Sequence, residues 1–263
     1  MALKKDYAAI AASKIQRPSA SGRKPRILVY SRNKKGKTTF CTSAGQEDTL
    51  IIDPEDGTEG MVRRDPHVWH IDEWSELDDA YQFLKLGKHQ YKWVALDGLT
   101  RFSGMSLRFV RSLAEERDLT RTPGLVHQQD YGKAGELMKG MLNNFHSLRN
   151  MGVILTAQER VIETEGEDTE DEDFSSANVL YVPDLPKGVR SAANSIVDVI
   201  GRLYTVRIEH PKTGSMVVQR RLWLDPHEAY DTGYRSDYVL PPFVKGPTVP
   251  KLCSLLREGK VAR

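Results

Sequence analysis

Residues 31–39 constrain the fold of this chain more than any other feature. They read Ser-Arg-Asn-Lys-Lys-Gly-Lys-Thr-Thr and directly follow the apolar run 27–30. Gly36, Lys37 and Thr38 match the second half of the phosphate-loop pattern GxxxxGK[ST], while Ser31 stands where the pattern has its first glycine. Such a loop joins a buried strand to a helix, so the pattern predicts an α/β domain.

Phosphate binding requires these residue types at this spacing. Backbone N–H groups of a tight turn point at phosphate oxygens, and the helix that follows adds the positive end of its dipole. Lys37 would reach the β- and γ-phosphates of ATP, and the Thr38 hydroxyl would ligate Mg²⁺. The expected nucleotide-binding residues are Ser31, Arg32, Asn33, Lys34, Lys35, Gly36, Lys37, Thr38 and Thr39.

Three residues of this phosphate loop allow more than one interpretation. Ser31 is compatible with the turn if its φ is negative, and otherwise it narrows the turn. Lys34 and Lys35 add positive charge that favours a polyanion, or they point outward to a neighbouring subunit or to nucleic acid. The sequence leaves these alternatives open.

Composition and charge limit the class of protein. With 263 residues and 39% apolar content, the chain can form one substantial domain. Its net charge of +2 makes no case for nucleic acid, although the first 37 residues are basic and residues 159–173 are acidic. Cys41 and Cys253 lack metal-ligand spacing and fit a reducing compartment. We find no membrane span or secretory signal and expect a soluble, cytoplasmic protein.

Short apolar runs alternate with helical patterns along the chain, which predicts a mainly parallel sheet flanked by helices. The expected strands are 27–30, 49–53, 68–71, 91–96 and 153–156, and the expected helices are 37–42, 73–86, 102–116, 131–150, 191–200 and 248–258. Two β-like runs, 202–209 and 216–224, enclose a His-Pro-Lys-Thr-Gly turn and predict a C-terminal β-hairpin.

The chain divides into an arm and a domain. Residues 1–24 are a basic arm, either flexible or a tether to a neighbouring subunit, and residues 25–263 are the expected ATPase domain. Within it, residues 159–173 are expected to form an acidic loop, because they are too charged to pack.

Three further candidates follow the ends of expected strands. The carboxyl ends of parallel strands share one edge of a sheet, so Glu55, Asp97 and Gln158 are expected near the phosphate loop. Asp97 would hold Mg²⁺, directly or through water. Glu55 would polarise the attacking water, or it is a solvated loop residue. Gln158 would sense the γ-phosphate, or it caps a helix or bonds only to water.

The order of these motifs resembles that of RecA-like ATPases. The chain has, in this order, the phosphate loop, Ile-Asp-x-Glu, a strand that ends in Asp, and a strand that runs into Thr-x-Gln. In this order it is similar to phage-encoded RecA-like P-loop ATPases, a group that includes the Sak-type single-strand annealing recombinases. The similarity covers about residues 26–256 and includes segments 74–77, 129–132 and 231–235. It implies a RecA-like P-loop NTPase core that binds ATP and Mg²⁺.

The resemblance also implies an activity and partners. A phage recombinase or annealing protein of this type hydrolyses ATP at subunit interfaces and binds single-stranded DNA as a filament or ring. It would act in the host cytoplasm beside phage replication or recombination proteins. Lys37, Glu55 and Gln158 would be catalytic, and Arg235 would reach the neighbouring subunit's nucleotide. Relatives often carry a lysine two residues earlier, where this chain has Gly233, and a surface salt bridge of Arg235 is equally open.

DNA binding has candidate residues and an opposing feature. The expected phosphate contacts are Arg101, Arg108, Arg111, Lys187 and Arg190, with Tyr181 as a possible stacking residue. The arginines are alternatively paired on helix faces. The acidic residues 163–173 would repel a phosphate backbone, which favours an alternative: a P-loop ATPase switch that acts on protein partners. A third possibility is a structural protein with a degenerate phosphate loop, as Ser31 hints.

Overall fold

The computed structural model describes residues 6–15, 17, 22–164, 178–210 and 213–260. Its strands are β1 (Arg26–Ser31), β2 (Thr49–Asp53), β3 (His67–His70), β4 (Trp93–Asp97), β5 (Gly152–Thr164), β6 (Asn178–Pro183), β7 (Val199–Glu209), β8 (Met216–Trp223), β9 (Gly233–Tyr234) and β10 (Phe243–Lys245). Its helices are α1 (Tyr7–Lys14), α2 (Lys37–Cys41), α3 (Glu76–Lys85), α4 (Leu99–Arg117), α5 (Gln128–His146), α6 (Lys187–Ile196) and α7 (Val249–Glu258), and the 3₁₀ helix Thr42–Ala44 follows α2.

The strand order of the sheet is β10-β8-β7-β1-β5-β4-β2-β3, with β6 paired to β5 and β9 to β7. The strands from β7 to β3 in this order run parallel, while β8 and β10 are antiparallel to their neighbours. The predicted α/β class with a mainly parallel sheet is therefore confirmed. The predicted C-terminal hairpin is also present, as β7 and β8.

Helices cover both faces of the sheet, which explains why its central strands read as continuous apolar runs. Every residue of β1 is buried, and successive side chains point to opposite faces. Leu28 and Tyr30 belong to a core shared with α3, α4, α5 and α6. Ile27 and Val29 belong to a second core shared with α2 and α7.

Strand β5 is much longer than the predicted strand 153–156. Up to Gln158 it lies between β1 and β4, and from Glu159 to Thr164 it pairs antiparallel with β6. Residues 159–164 are thus strand and not the start of an acidic loop, which corrects the prediction. The charge of Glu159 is tolerated here because two arginines contact it. The rest of the predicted loop, residues 165–173, lies outside the described residues.

Helix boundaries differ from the predicted ones where local capping decides them. Helix α4 begins at Leu99, directly after Gly98 with φ 130°, and not at residue 102. Helix α5 begins at Gln128 because His127 and Asp130 cap each other's backbone N–H groups. Helix α6 lies at Lys187–Ile196, and residues 199–200 of the predicted helix begin β7.

Candidate functional site

The strand order brings the predicted site residues together at one edge of the sheet. Strands β1, β5, β4 and β2 are parallel neighbours, so the residues at their carboxyl ends surround one cavity of about 550 Å³. This cavity, the phosphate cavity, is lined by Asn33, Lys34, Gly36, Lys37, Thr38, Thr39, Glu55, Asp97 and Gln158. The edge is the usual ligand position in open α/β sheets.

The phosphate loop adopts its turn without strain at Ser31. Gly36 has φ 105° and ψ 30°, a left-handed conformation that glycine adopts at little cost. Among the described non-glycine residues, positive φ is confined to Lys34, Asp56 and Asp65, so the φ of Ser31 is negative. The serine therefore meets the backbone condition under which it can replace the first glycine.

Lys37 folds back over the loop that carries it. Its Nζ donates to Ser31 O at 3.2 Å, to Ser31 Oγ at 3.4 Å and to Arg32 O at 3.4 Å. Burial lowers the pKa of Lys37, and the negative charges of Asp97 and Glu55 act in the opposite direction. The ammonium group is thus placed beside the cavity with acidic groups facing it.

Asp97 and Thr38 bring a carboxylate and a hydroxyl together at the cavity. Asp97 Oδ1 accepts a hydrogen bond from Thr156 Oγ1 at 2.6 Å, and its carboxylate also accepts one from the Thr38 side chain. Burial raises the pKa of Asp97, while these two hydrogen bonds lower it. A hydroxyl beside a carboxylate supplies the oxygen ligands that Mg²⁺ prefers.

Asp53 is a functional candidate that sequence reasoning missed. It lines the phosphate cavity and is almost fully buried. Its carboxylate accepts hydrogen bonds from the Glu55 and Thr58 backbone N–H groups and from Thr58 Oγ1. Among the described residues, no group of three or more His, Cys, Asp or Glu side chains could hold a metal ion by itself. A bound Mg²⁺ would therefore need phosphate oxygens and water as further ligands, and the residues fit an ATP·Mg²⁺ complex.

Glu55 lies at the rim of the cavity, partly covered by the protein and partly exposed to solvent. Its pKa is raised by this partial burial first and by the charge of Asp97 second, whereas the charge of Arg101 lowers it. A carboxylate with a raised pKa is a stronger proton acceptor, which suits a general base.

Gln158 lies beside the phosphate loop, because it is the register partner of Ser31 in the β1–β5 pairing. Its backbone N–H donates to Thr100 Oγ1 at 3.0 Å, and its carbonyl accepts from the Asp184 N–H at 2.7 Å. Thr100 Oγ1 donates in turn to Asp184 O at 3.0 Å. These bonds fix the backbone that carries the Gln158 side chain.

Two predicted nucleotide-binding side chains point elsewhere. Arg32 Nε pairs with Glu159 Oε1 at 3.3 Å, and Lys35 Nζ donates to Thr205 Oγ1 at 3.1 Å on β7. The predicted phosphate contact of the Lys35 ammonium is thus replaced by a contact with the C-terminal hairpin. Ser31 is fully buried at the end of β1 and contributes a carbonyl and a hydroxyl to Lys37.

Arg220 on β8 also lines the phosphate cavity, and nothing in the sequence pointed to it. Its Nε donates to Lys35 O at 3.2 Å across 185 positions of sequence. A second cavity of about 610 Å³ adjoins the first, because Gly36, Thr39 and Arg220 line both. Its walls include Leu203, Ile208, Val217, Pro247 and Thr248.

Arg235 lies at the opposite edge of the sheet. Arg235 directly follows Tyr234 of β9, and Tyr234 pairs with Val199 of β7. Val199 in turn pairs with Ile27 near the start of β1, so Arg235 lies where the parallel strands begin and not where they end. Its Nη2 donates to Ser195 O at 2.9 Å, a backbone carbonyl and not a carboxylate. Within one chain Arg235 is therefore remote from the phosphate loop, and its expected role toward a neighbouring subunit stays a prediction.

The predicted DNA contacts divide into two groups. Arg111 pairs with Glu115 at 3.4 Å, and the mostly buried Arg190 lies 4.0 Å from Asp231, so both have internal acidic partners. Arg101, Arg108 and Lys187 are exposed. Arg101 and Arg108 line a groove together with Asp72, Glu73 and Glu116, so this groove carries charges of both signs.

Among the described residues, no helix is both long enough and apolar enough to span a membrane.

Comparison with known proteins identifies the family. No curated protein matches the chain. One protein family, described as an AAA domain, matches residues 23–236, a span that contains the phosphate loop, Asp97, Gln158 and Arg220. Because this match covers most of the sequence and includes the site, the chain belongs to the AAA-domain family of P-loop ATPases.

Proposed function

We propose that this protein is an ATP-dependent, RecA-like phage recombinase or annealing protein of the Sak type, which binds single-stranded DNA as an oligomer. One observation supports the ATPase part above all others. Lys37, Thr38, Glu55 and Asp97, from three different segments, line one cavity beside a left-handed Gly36. These are the groups that phosphoryl transfer to water requires.

Each residue has a distinct task in the proposed hydrolysis. The loop backbone and Lys37 bind the β- and γ-phosphates, and the nucleoside occupies the adjoining cavity beside Thr39. Mg²⁺, held by Thr38 and Asp97, would neutralise charge on the phosphate oxygens. Glu55 accepts a proton from water as the water oxygen attacks the γ-phosphorus, and the bond to the β-phosphate oxygen breaks. Gln158 binds the γ-phosphate and is released when the phosphate leaves.

The DNA part of the proposal rests on exposed basic groups near this edge. Arg101 lies close enough to Glu55 to lower its pKa, and Arg108 follows on the same helix. Lys187 begins α6 soon after β6. Phosphate contacts by these side chains would weaken as salt rises. Arg235 would act across the subunit interface of the filament or ring.

A second function is favoured by one feature. Residues 163–173 are strongly acidic, and the first two of them end the part of β5 that leaves the parallel sheet to pair with β6. Such a segment would bind a basic protein surface more readily than DNA. In this alternative the chain is an ATPase switch for protein partners.

The ATPase rate with and without single-stranded DNA, at low and high salt, tests both functions. For the recombinase, DNA stimulates turnover at low salt and the stimulation is lost at high salt. Lys37→Ala abolishes turnover by weakening phosphate binding, whereas Glu55→Gln retains ATP binding and loses turnover.

Other results would contradict the proposal. Turnover that is indifferent to DNA would favour the protein-directed switch. No turnover by the unmodified protein would leave a degenerate, structural phosphate loop. Equal rates for Glu55→Gln and the parent would remove Glu55 from the mechanism.

A further inference from the structure

Arg220 stands at the junction of the phosphate cavity and the adjoining cavity, packed directly over the phosphate loop. A Cβ atom on Gly36 would lie 2.7 Å from Arg220 Nε, so only a glycine admits the guanidinium at this distance. Nε donates to Lys35 O at 3.2 Å, inside the loop. The side chain thus reaches the nucleotide site from β8, in the same chain.

The strand register fixes this position. Arg220 is the partner of Thr205 in the β7–β8 pairing, and Thr205 Oγ1 accepts from Lys35 Nζ at 3.1 Å. Two contacts of residue 35 therefore attach the loop to the hairpin. The next residue, Arg221, has its guanidinium 4.6 Å from the Phe243 ring centre and bonded to Gln219. Alternation along β8 thus directs Arg220 to the loop and Arg221 away from it.

Within the part of the chain that the structure describes, the charge of Arg220 has no acidic partner. The hydrogen bond to Lys35 O is the only one that its side chain makes among these residues. That bond uses one of the five N–H groups of a guanidinium. Lys34 and Lys37 line the same cavity as Arg220, and the carboxylates of Asp53, Glu55 and Asp97 line it too. An anion bound beside the three cationic side chains would be attracted by each of them.

We infer that Arg220 binds a nucleotide phosphate in its own chain, at the α- or β-position. This inference rests on the proposed function. Glu55, Asp97 and Gln158 line the phosphate cavity and not the adjoining one, whereas Arg220 lines both. With the nucleoside in the adjoining cavity, as proposed above, Arg220 lies toward the nucleoside side of the phosphates. A guanidinium suits this position because its planar fork can bind two phosphate oxygens at once.

Dissociation constants of ADP, a non-hydrolysable ATP analogue and adenosine for the full chain test the inference. Arg220→Ala should weaken the binding of ADP and of the ATP analogue alike, with dissociation constants that rise roughly tenfold or more, since a charge-assisted bond to phosphate is lost. Adenosine binding should change little. Arg220→Gln keeps an N–H donor for Lys35 O but has no charge. It should weaken the binding of both phosphorylated ligands as much as Arg220→Ala does.

Arg221→Ala is the matched control, because it removes an arginine from the same strand without touching the loop, and it should bind as the parent does. Thermal unfolding of each variant checks that it is folded. Parent-like affinity of Arg220→Gln would reduce Arg220 to a structural contact of Lys35 and overturn the inference. So would equal losses in Arg221→Ala, or a loss for the ATP analogue that spares ADP. Failure of the unmodified chain to bind any nucleotide would instead overturn the proposed function itself.

Discussion

At the scale of single residues, the three carboxylates that line the phosphate cavity have different environments, which suit different tasks in the proposed hydrolysis. Asp53 is buried, and its oxygens accept from Thr58 and from the Glu55 backbone. Asp97 is buried and accepts from Thr38 and Thr156. Of the three, Glu55 is the one that is exposed to solvent, at the rim of the cavity. This difference in environment favours Glu55 as the general base and Asp97 as the residue that would hold the metal ion.

The pH dependence of turnover tests this assignment. Glu55 must be ionised to accept a proton, so the rate falls as the pH drops through its pKa. Arg101 lowers this pKa, against burial and the charge of Asp97, which raise it. Arg101→Gln should therefore raise the pKa of Glu55. In a plot of kcat against pH, measured by steady-state rates, the fall on the acidic side should then move to higher pH.

Arg108→Gln is the control for this experiment, because it removes another exposed arginine from the same helix α4. Its acidic limb should coincide with that of the parent. An unshifted limb in Arg101→Gln, or an equal shift in both variants, would mean that the limb reports a group other than Glu55.

At the scale of elements, β5 connects the site to the rest of the molecule. Glu159 follows Gln158, and its almost fully buried carboxylate contacts Arg32 of the phosphate loop and Arg202 of β7. The Arg202 guanidinium lies 4.4 Å from the Tyr181 ring centre and 4.5 Å from that of Tyr230. Tyr181, a predicted base-stacking residue, thus packs against an arginine of its own chain. A chain of contacts thus leads from the phosphate loop through Glu159 and Arg202 to β6.

The start of β5 gives a stability prediction. A Cβ atom on Gly152 would lie 2.1 Å from Trp93 Cε3, so a larger residue must displace the indole of the neighbouring strand. Gly152→Ala should lower the free energy of unfolding by about 1–3 kcal/mol, the usual range for overpacking. Urea-induced unfolding at equilibrium measures this change.

Gly140→Ala is the matched control in helix α5. A Cβ atom there meets nothing within 4 Å, and alanine favours a helix interior by about 0.5–1 kcal/mol over glycine. This variant should be as stable as the parent or more so. A Gly152→Ala protein with parental stability would show that Trp93 moves aside without cost.

At the scale of the whole molecule, the N-terminal arm is the feature that suggests assembly. Helix α1 exposes 73% of Tyr7 and 43% of Ile10, and Ile15 after it is 78% exposed. After the arm's helix, Arg23 pairs with Asp198 of the domain. A cluster of exposed apolar side chains is a feature of protein–protein contact sites.

Deleting residues 1–22 should therefore reduce oligomer formation while leaving the Arg23–Asp198 pair intact. Sedimentation velocity over a range of protein concentrations measures the change. Tyr7→Ser combined with Ile10→Ser in the full chain separates apolar contact from the arm's basic charge, and it should reproduce the loss. Unchanged sedimentation of the deleted chain would rule out the arm as a tether.

Local patterns in the sequence determined the α/β class, the phosphate loop, the C-terminal hairpin and the residues that end the strands. Strands buried on both faces must be continuous apolar runs, and a phosphate loop needs fixed residue types at fixed spacing. Because parallel strands end at one edge, Glu55, Asp97 and Gln158 could be assigned to the site before any distance was known.

Tertiary structure decided which side chains complete the site. Arg220 contacts Lys35, which lies 185 positions away in the sequence. The buried Asp53 carboxylate accepts a hydrogen bond from the Thr58 backbone. Arg32 and Lys35 turn to Glu159 and Thr205, on strands distant in sequence. No local pattern encodes these contacts, because they depend on strand order and register. The same pairings made β5 a long strand, since its charged half is stabilised by partners from β6 and β7 and not by its own sequence.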